Sequence, residues 1–219
     1  MKSVLISIQP KWCELIANGK KTVEVRKTRP KLETPFKVYI YMTKSGNNFL
    51  GDGEKDWFVS HNFTMAGKVI GEFVCSKIEL FDSAFDEWAR SVAPPESCID
   101  SMGWNKFEDI IHHRACMTDE DLNSYFPEDV KAYLWHISNL VIYDEPKELS
   151  EFHTVDKDAV RSCGHRHQSY CSAQCDSGYI KNGFYCDRTA DWCTQCTTKP
   201  ITRAPQSWCF VEELKQNEK

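Results

Sequence analysis

The residues of this chain that could do chemistry fall in two places. The first is Gly19-Lys20-Lys21-Thr22-Val23-Glu24-Val25-Arg26. On an extended strand Glu24 and Arg26, two apart, lie on one face, and Lys21 can reach Glu24 from the preceding turn. A carboxylate held between two cations stays ionised and aimed, so it could accept hydrogen bonds from an amine or ring N–H of a base. Spare cationic capacity on Lys21 or Arg26 could meet a phosphate. A salt-bridge cluster that merely fixes a cleft wall would use the same residues. The second place is Cys163-x-His165-x-His167, Cys171-x3-Cys175, Cys186 and Cys193-x2-Cys196. Thiolates spaced like Cys193 and Cys196 can close on one tetrahedral ion, and Cys171 with Cys175 could supply the other half. Cys163, Cys186, His165 and His167 compete for the remaining positions. Structural zinc is the expected cofactor, because this stretch is poor in aliphatic residues and would need a metal to fold.

Eleven cysteines in 219 residues cannot all pair within one chain. The N-terminal apolar stretch is too short for a signal peptide, and no run approaches the roughly 18 apolar residues of a membrane helix. These features predict a cytoplasmic protein with reduced thiols and no membrane partner. Hydrophobic residues at 41% and charged residues at 27% exclude a disordered or fibrous chain. The net charge of −5 conceals a strong asymmetry. Residues 1–44 carry ten Lys and Arg against three Asp and Glu, a surplus of +7, whereas residues 45–150 carry eight against twenty, or −12. The basic segment is densest at Lys20, Lys21, Arg26, Lys27, Arg29 and Lys31, which would attract phosphate-bearing partners in a salt-dependent way.

Several elements must position these groups. Val4–Ile8 alternates as a strand, and Pro10 suits the first turn of a helix carrying Trp12, Leu15 and Ile16 inward and ending at Asn18-Gly19. Thr22–Arg26 is a second strand with Val23 and Val25 on the face opposite Thr22, Glu24 and Arg26. Phe36–Met42 is a third. The run 68–75 is β-rich, with Gly71 marking a bulge or a barrel corner. Helical spacing follows at 83–92, and Thr118 should cap a helix through Asp121, with Met117 packing on Leu122. Trp135–Tyr143 and Trp208–Leu214 complete the strands. The pattern predicts an α+β fold, a small mixed β-barrel with short helices.

The octapeptide at Gly19 resembles the G-x-K-x-x-E-x-R signature of the ASCH domain family. Ser7-Ile8-Gln9-Pro10-Lys11-Trp12 upstream and Tyr133-Leu134-Trp135-His136-Ile137-Ser138 downstream support the likeness. The run Thr202–Trp208 looks like the end of longer, cysteine-bearing ASCH proteins seen in bacteria and phages. ASCH domains are similar to PUA domains, so the resemblance implies a PUA-like barrel that binds RNA, single-stranded nucleic acid or a nucleotide. It implies an ASCH/PUA-like domain over 1–154, a cysteine-rich, metal-stabilised insertion over 155–202 and a terminal strand returning to the barrel within 203–219. In a cleft recognising a base or modified nucleoside, Glu24 would read the base edge. Lys20, Lys21 and Arg26 would position phosphate or carboxylate, and Trp12 or Tyr41 would stack.

Some ASCH proteins resemble amidohydrolases that act on acylated cytidine through a Lys, a Thr and a Glu. Lys21 matches that lysine, but Glu24 stands at the threonine position, and a carboxylate cannot replace a hydroxyl nucleophile without changing the mechanism. Were the chain an enzyme, Lys21 and Glu24 would be its catalytic residues. Metal-dependent ribonucleases in the family give a further enzymatic alternative. The acidic middle, residues 45–150, gives a third reading, a module that binds a basic protein.

Overall fold

The computed structural model describes residues 2–44, 65–84, 103–127, 129–155 and 198–214, with the backbone of 180–181 and 185–186. Strand β1 (Lys2–Ile8) runs into helix α1 (Pro10–Ala17), with Pro10 in its first turn. Helix α1 stops at Asn18, and Gly19 takes φ +74°. A Cβ at Gly19 would meet nothing within 4 Å, so it is the left-handed backbone and not lack of room that calls for glycine. Strands β2 (Val23–Arg26) and β3 (Phe36–Met42) follow. Strand β4 (Val69–Asp82) is long and bulged. The ladder slips around Gly71, where a Cβ would collide with the carbonyl oxygen of Val141.

Helix α2 (Trp104–Asp109) continues into one π-helical turn over Ile110–Arg114. Helix α3 (Asp119–Tyr125) begins at the predicted cap: Thr118 Oγ1 accepts from the amide of Asp121, whose carboxylate accepts from the amide of Thr118. Met117 and Leu122 share one core cluster, as a staple requires. Strand β5 (Lys131–Lys147) pairs with β4 along most of its length. Strands β6 (His153–Val155) and β9 (Thr198–Pro200) pair antiparallel, so the chain leaves at Val155 and returns at Thr198 side by side. Strands β7 (Ile180–Lys181) and β8 (Tyr185–Cys186) form a small hairpin, and β10 (Trp208–Glu212) pairs antiparallel with β1.

The main sheet has six strands in the order β10-β1-β3-β4-β5-β2, with β1 and β3 parallel and every other pair antiparallel. The expected barrel does not close. The edges are β2, four residues long, and β10, five residues long, and no ladder joins them. A side chain spans part of that gap instead: Arg26 Nη2 on β2 donates to the carbonyl of Ser7 on β1 at 2.6 Å. The α+β mixture stands; the closed barrel is replaced by an open mixed sheet.

The metal-stabilised insertion is also corrected. Among the described residues no group of three or more His, Cys, Asp or Glu side chains could hold a metal ion. Metal ligation needs thiolates. Of the described cysteines, none of these an expected ligand, burial pushes the thiol of Cys75 up to about 12, that of Cys209 up to about 11, and that of Cys13 well above its ordinary value. The expected zinc ligands Cys163, Cys171, Cys175, Cys193 and Cys196, with His165 and His167, lie outside the described residues, as do residues 85–92 of the helix expected at 83–92. Cys186 is described by its backbone alone. Among the described residues no helix is long and apolar enough to cross a membrane.

Three apolar clusters support the sheet. One joins β1, α1, β3, β4 and β5 around Ile6, Ile40 and Trp135. A second joins Val23 and Val25 of β2 to Phe81, Phe107 and Leu134 under α2 and α3. The third holds Leu5, Tyr39, Tyr41, Phe152 and Val211.

Candidate functional site

Strand β2 has an apolar face and a charged one, and both are covered. Val23 and Val25 enter the second cluster, which commits Glu24 and Arg26 to the opposite side. Lys21 arrives from the turn after Gly19, where its amide donates to the carbonyl of Leu15 at 2.8 Å. The three side chains are almost wholly buried, with Lys21 3% exposed, Glu24 5% and Arg26 7%. Glu24 Oε1 lies 2.9 Å from Arg26 Nη2, and Oε2 lies 3.4 Å from Lys21 Nζ. Both carboxylate oxygens therefore face cations.

Lys21 Nζ also donates to the carbonyl of Ala115 at 2.8 Å. That carbonyl is delivered by the π turn, in which the amide of Ala115 reaches back to the carbonyl of Ile110. The same turn offers the carbonyl of Arg114 to the amide of Thr22, and Arg114 Nε donates to Thr22 Oγ1. Burial is the largest influence on Lys21 and lowers its pKa from the usual lysine value, while Glu24 works in the opposite sense. Arg26 has its Nη2 committed to Glu24 and to Ser7, but its Nε is buried with no hydrogen-bond partner. An unpaired N–H of a buried cation costs free energy unless something accepts from it. Two cations and one carboxylate leave the trio with an excess of positive charge.

These groups open onto a cleft of about 420 Å³. Its lining includes Ser7, Trp12, Tyr125 and the Pro205–Ser207 turn beside the trio. Ser7 Oγ donates to the carbonyl of Pro205 at 2.6 Å, which fastens that turn to the end of β1. Trp12 lies where expected, yet its ring already meets two ammonium groups, Lys11 at 4.4 Å and Lys21 at 4.8 Å from its centroid. Burial pushes the Tyr125 hydroxyl above its ordinary pKa, with Arg26 opposing, so it stays protonated and able to donate.

Of the residues expected from sequence, Lys21, Glu24, Arg26 and Trp12 meet at the cleft. Lys20 is exposed at the neighbouring turn and does not line it. Tyr41 is buried in the third cluster with Leu5 and Phe152, away from the lining. Sequence reasoning gave no role to Ser7, Tyr125 or the Pro205–Ser207 turn. Ser7 and the turn sit in the runs that flank the signature in the resemblance, and Tyr125 ends the helix capped by Thr118, so position signals for them were present.

No curated protein matches the sequence. Solved structures give distant likenesses. The crystal structure of ASCH from Zymomonas mobilis is 20% identical, over 67% of this chain and 73% of that one, with a TM-score of 0.42. A tyrosine-to-phenylalanine mutant of that protein is 19% identical, over 68% and 77%, at a TM-score of 0.42. A serine-to-alanine mutant is 20% identical, over 67% and 74%, at 0.41. The ASCH domain family matches residues 6–146, a span that runs from the end of β1 into the end of β5 and contains the whole Lys21–Glu24–Arg26 trio, and the chain belongs to that family.

Proposed function

We propose that this protein binds RNA or a nucleotide, and that the cleft holds a base or modified nucleoside with its attached oxygens against Arg26. The observation that carries this reading is the unpartnered, buried Nε of Arg26 in a site with surplus positive charge. An arginine with one edge already fixed is a directional donor for a carbonyl or phosphate oxygen. Glu24 acts here as the positioning residue for Arg26, because both of its oxygens are already taken up by cations. Tyr125 supplies the aromatic wall and a hydroxyl donor. A volume of about 420 Å³ lies within the usual range for small-ligand sites.

The test is calorimetric titration with each of the four 5′-mononucleotides and with a mixed single-stranded RNA. Arg26→Lys keeps the charge but loses Nε and the planar fork, and is expected to weaken binding by at least tenfold. Unchanged affinity in a folded Arg26→Lys protein would refute the reading. A second reading, hydrolysis of a modified nucleoside, is favoured by one observation: burial lowers the pKa of Lys21, which raises the share of its amine free to accept a proton. Time-dependent loss of an acylated nucleoside that disappears in Lys21→Met would establish it, and no turnover by the wild-type protein would remove it.

A further inference from the structure

The chain that leaves the charged trio carries further cations, the first of them beside a residue of the same cleft. Lys27, Arg29 and Lys31 are exposed, whereas Pro30 between them is buried and anchors the loop. The loop is fastened to two walls. Lys27 Nζ lies 5.0 Å from the ring of Tyr125, which lines the cleft, and 5.6 Å from that of Phe126. One residue on, Thr28 Oγ1 accepts from the indole N–H of Trp208 at 3.0 Å, and Trp208 follows Ser207 of the lining turn. Arg203, also exposed, stands two residues before Pro205. Between Arg26 and Phe36 the single carboxylate is Glu33, at the far end of the loop.

We propose that this loop and Arg203 form a phosphate track along which a single strand of RNA runs into the cleft, so that the protein engages several consecutive nucleotides and not one free nucleotide. The inference rests on the reading that the cleft takes a nucleotide unit. A base can enter a cleft of this size only when it is unpaired, which makes the strand at its mouth single-stranded. The cations that would meet its phosphates are held in advance: Lys27 by two aromatic rings, and the loop by Pro30 and the Thr28 bond. Less ordering is then lost on binding.

The experiment compares a mixed-sequence 12-nucleotide RNA, its duplex and the four mononucleotides on the wild-type protein, on the K27Q/R29Q/K31Q variant and on two cleft variants, Arg26→Lys and Tyr125→Ala. Thermal unfolding checks that each is folded, and the triple variant alters exposed side chains alone. Three lost phosphate contacts should lower the slope of log affinity against log salt by about 2, roughly a hundredfold weaker oligomer binding at 0.1 M salt, with mononucleotide binding unchanged. A slope unaltered by the triple variant, with both ligands weakened by the cleft variants, overturns the track and leaves the cleft reading standing. Mononucleotide binding untouched by either cleft variant overturns the cleft reading, and with it the claim that the track leads there. Duplex competing as well as single strand also overturns the proposal.

Discussion

Replacing Glu24 by Gln removes one negative charge from between two buried cations, and its consequence can be worked from the geometry. Oε1 and Oε2 each face a cation, at 2.9 Å and 3.4 Å, and all three side chains are more than nine-tenths buried. Removing one partner of a buried ion pair costs about 3–5 kcal/mol, because the remaining charge is left uncompensated. Gln keeps one acceptor oxygen for Arg26, so the lower end, about 3 kcal/mol, is expected. For a chain of this size that lowers Tm by about 6–12 °C. Lys21→Met should cost less, about 1–2 kcal/mol, since Glu24 and Arg26 remain a neutral pair and the main loss is the bond to the Ala115 carbonyl.

The two changes should not add. With Lys21 gone, Glu24→Gln strands one cation and not two, so the double variant should be about 1–2 kcal/mol more stable than the sum of the single effects. Urea unfolding of the four proteins at pH 7 measures this. The deficit of Glu24→Gln should also shrink as pH rises. Burial depresses the pKa of Lys21 in the folded state and Glu24 opposes this, so without Glu24 the pKa falls further, and between that value and the unfolded lysine's ordinary 10.5 the variant gains more stability with pH than the wild type does. A Glu24→Gln cost below about 1 kcal/mol, or strict additivity with Lys21→Met, would refute the view that the three charges form one coupled unit.

Other elements give independent tests. Gly19→Ala should cost about 1 kcal/mol from left-handed strain alone, with Gly19→Asn milder, because the position is open but has φ +74°; equal stability of the two variants would contradict this. Thr118→Ala removes the acceptor for the Asp121 amide at 3.1 Å and should lower unfolding stability by about 1 kcal/mol, read by denaturant titration. Burial would raise the carboxyl of Glu79, but hydrogen bonds from Lys77 and Lys106 and the nearby His136 ring hold it down at about 2. Its contribution is therefore present above the unfolded value of 4.5 and lost as pH falls toward 2. The partner lysines are well exposed, so the difference between wild type and Glu79→Gln should be about 1 kcal/mol at pH 6 and decline steadily from pH 4.5 toward pH 2; a pH-independent difference would argue against it.

Local rules made much of the site's frame readable. Pro10, Asn18-Gly19, the Val23/Val25 alternation and the Thr118–Asp121 cap each act within a few residues, and each element formed where its own chemistry placed it. The sheet's closure was not readable in this way, because whether β2 meets β10 depends on curvature accumulated over the bulges of β4 and β5. Tyr41 illustrates the same limit. Its strand was correctly expected, but only the packing of Phe152 and Val211 against that face decides that the ring is core and not cleft.

The trio itself shows where residue type stops being informative. Spacing brought Lys21, Glu24 and Arg26 together, and from spacing alone the carboxylate is the natural reader of a base. Backbone groups join the cluster as well: the Ala115 carbonyl from the π turn takes Lys21, and the Ser7 carbonyl takes one end of Arg26. With those acceptors in place Glu24 is enclosed by its cations, and Arg26 Nε is a buried donor without a partner. Side-chain spacing carries no record of which carbonyls will be presented by a π turn 94 residues away or by the end of a neighbouring strand. The hydrogen-bonding arrangement of this cleft is thus set by long-range main-chain geometry acting on a locally encoded charge pattern.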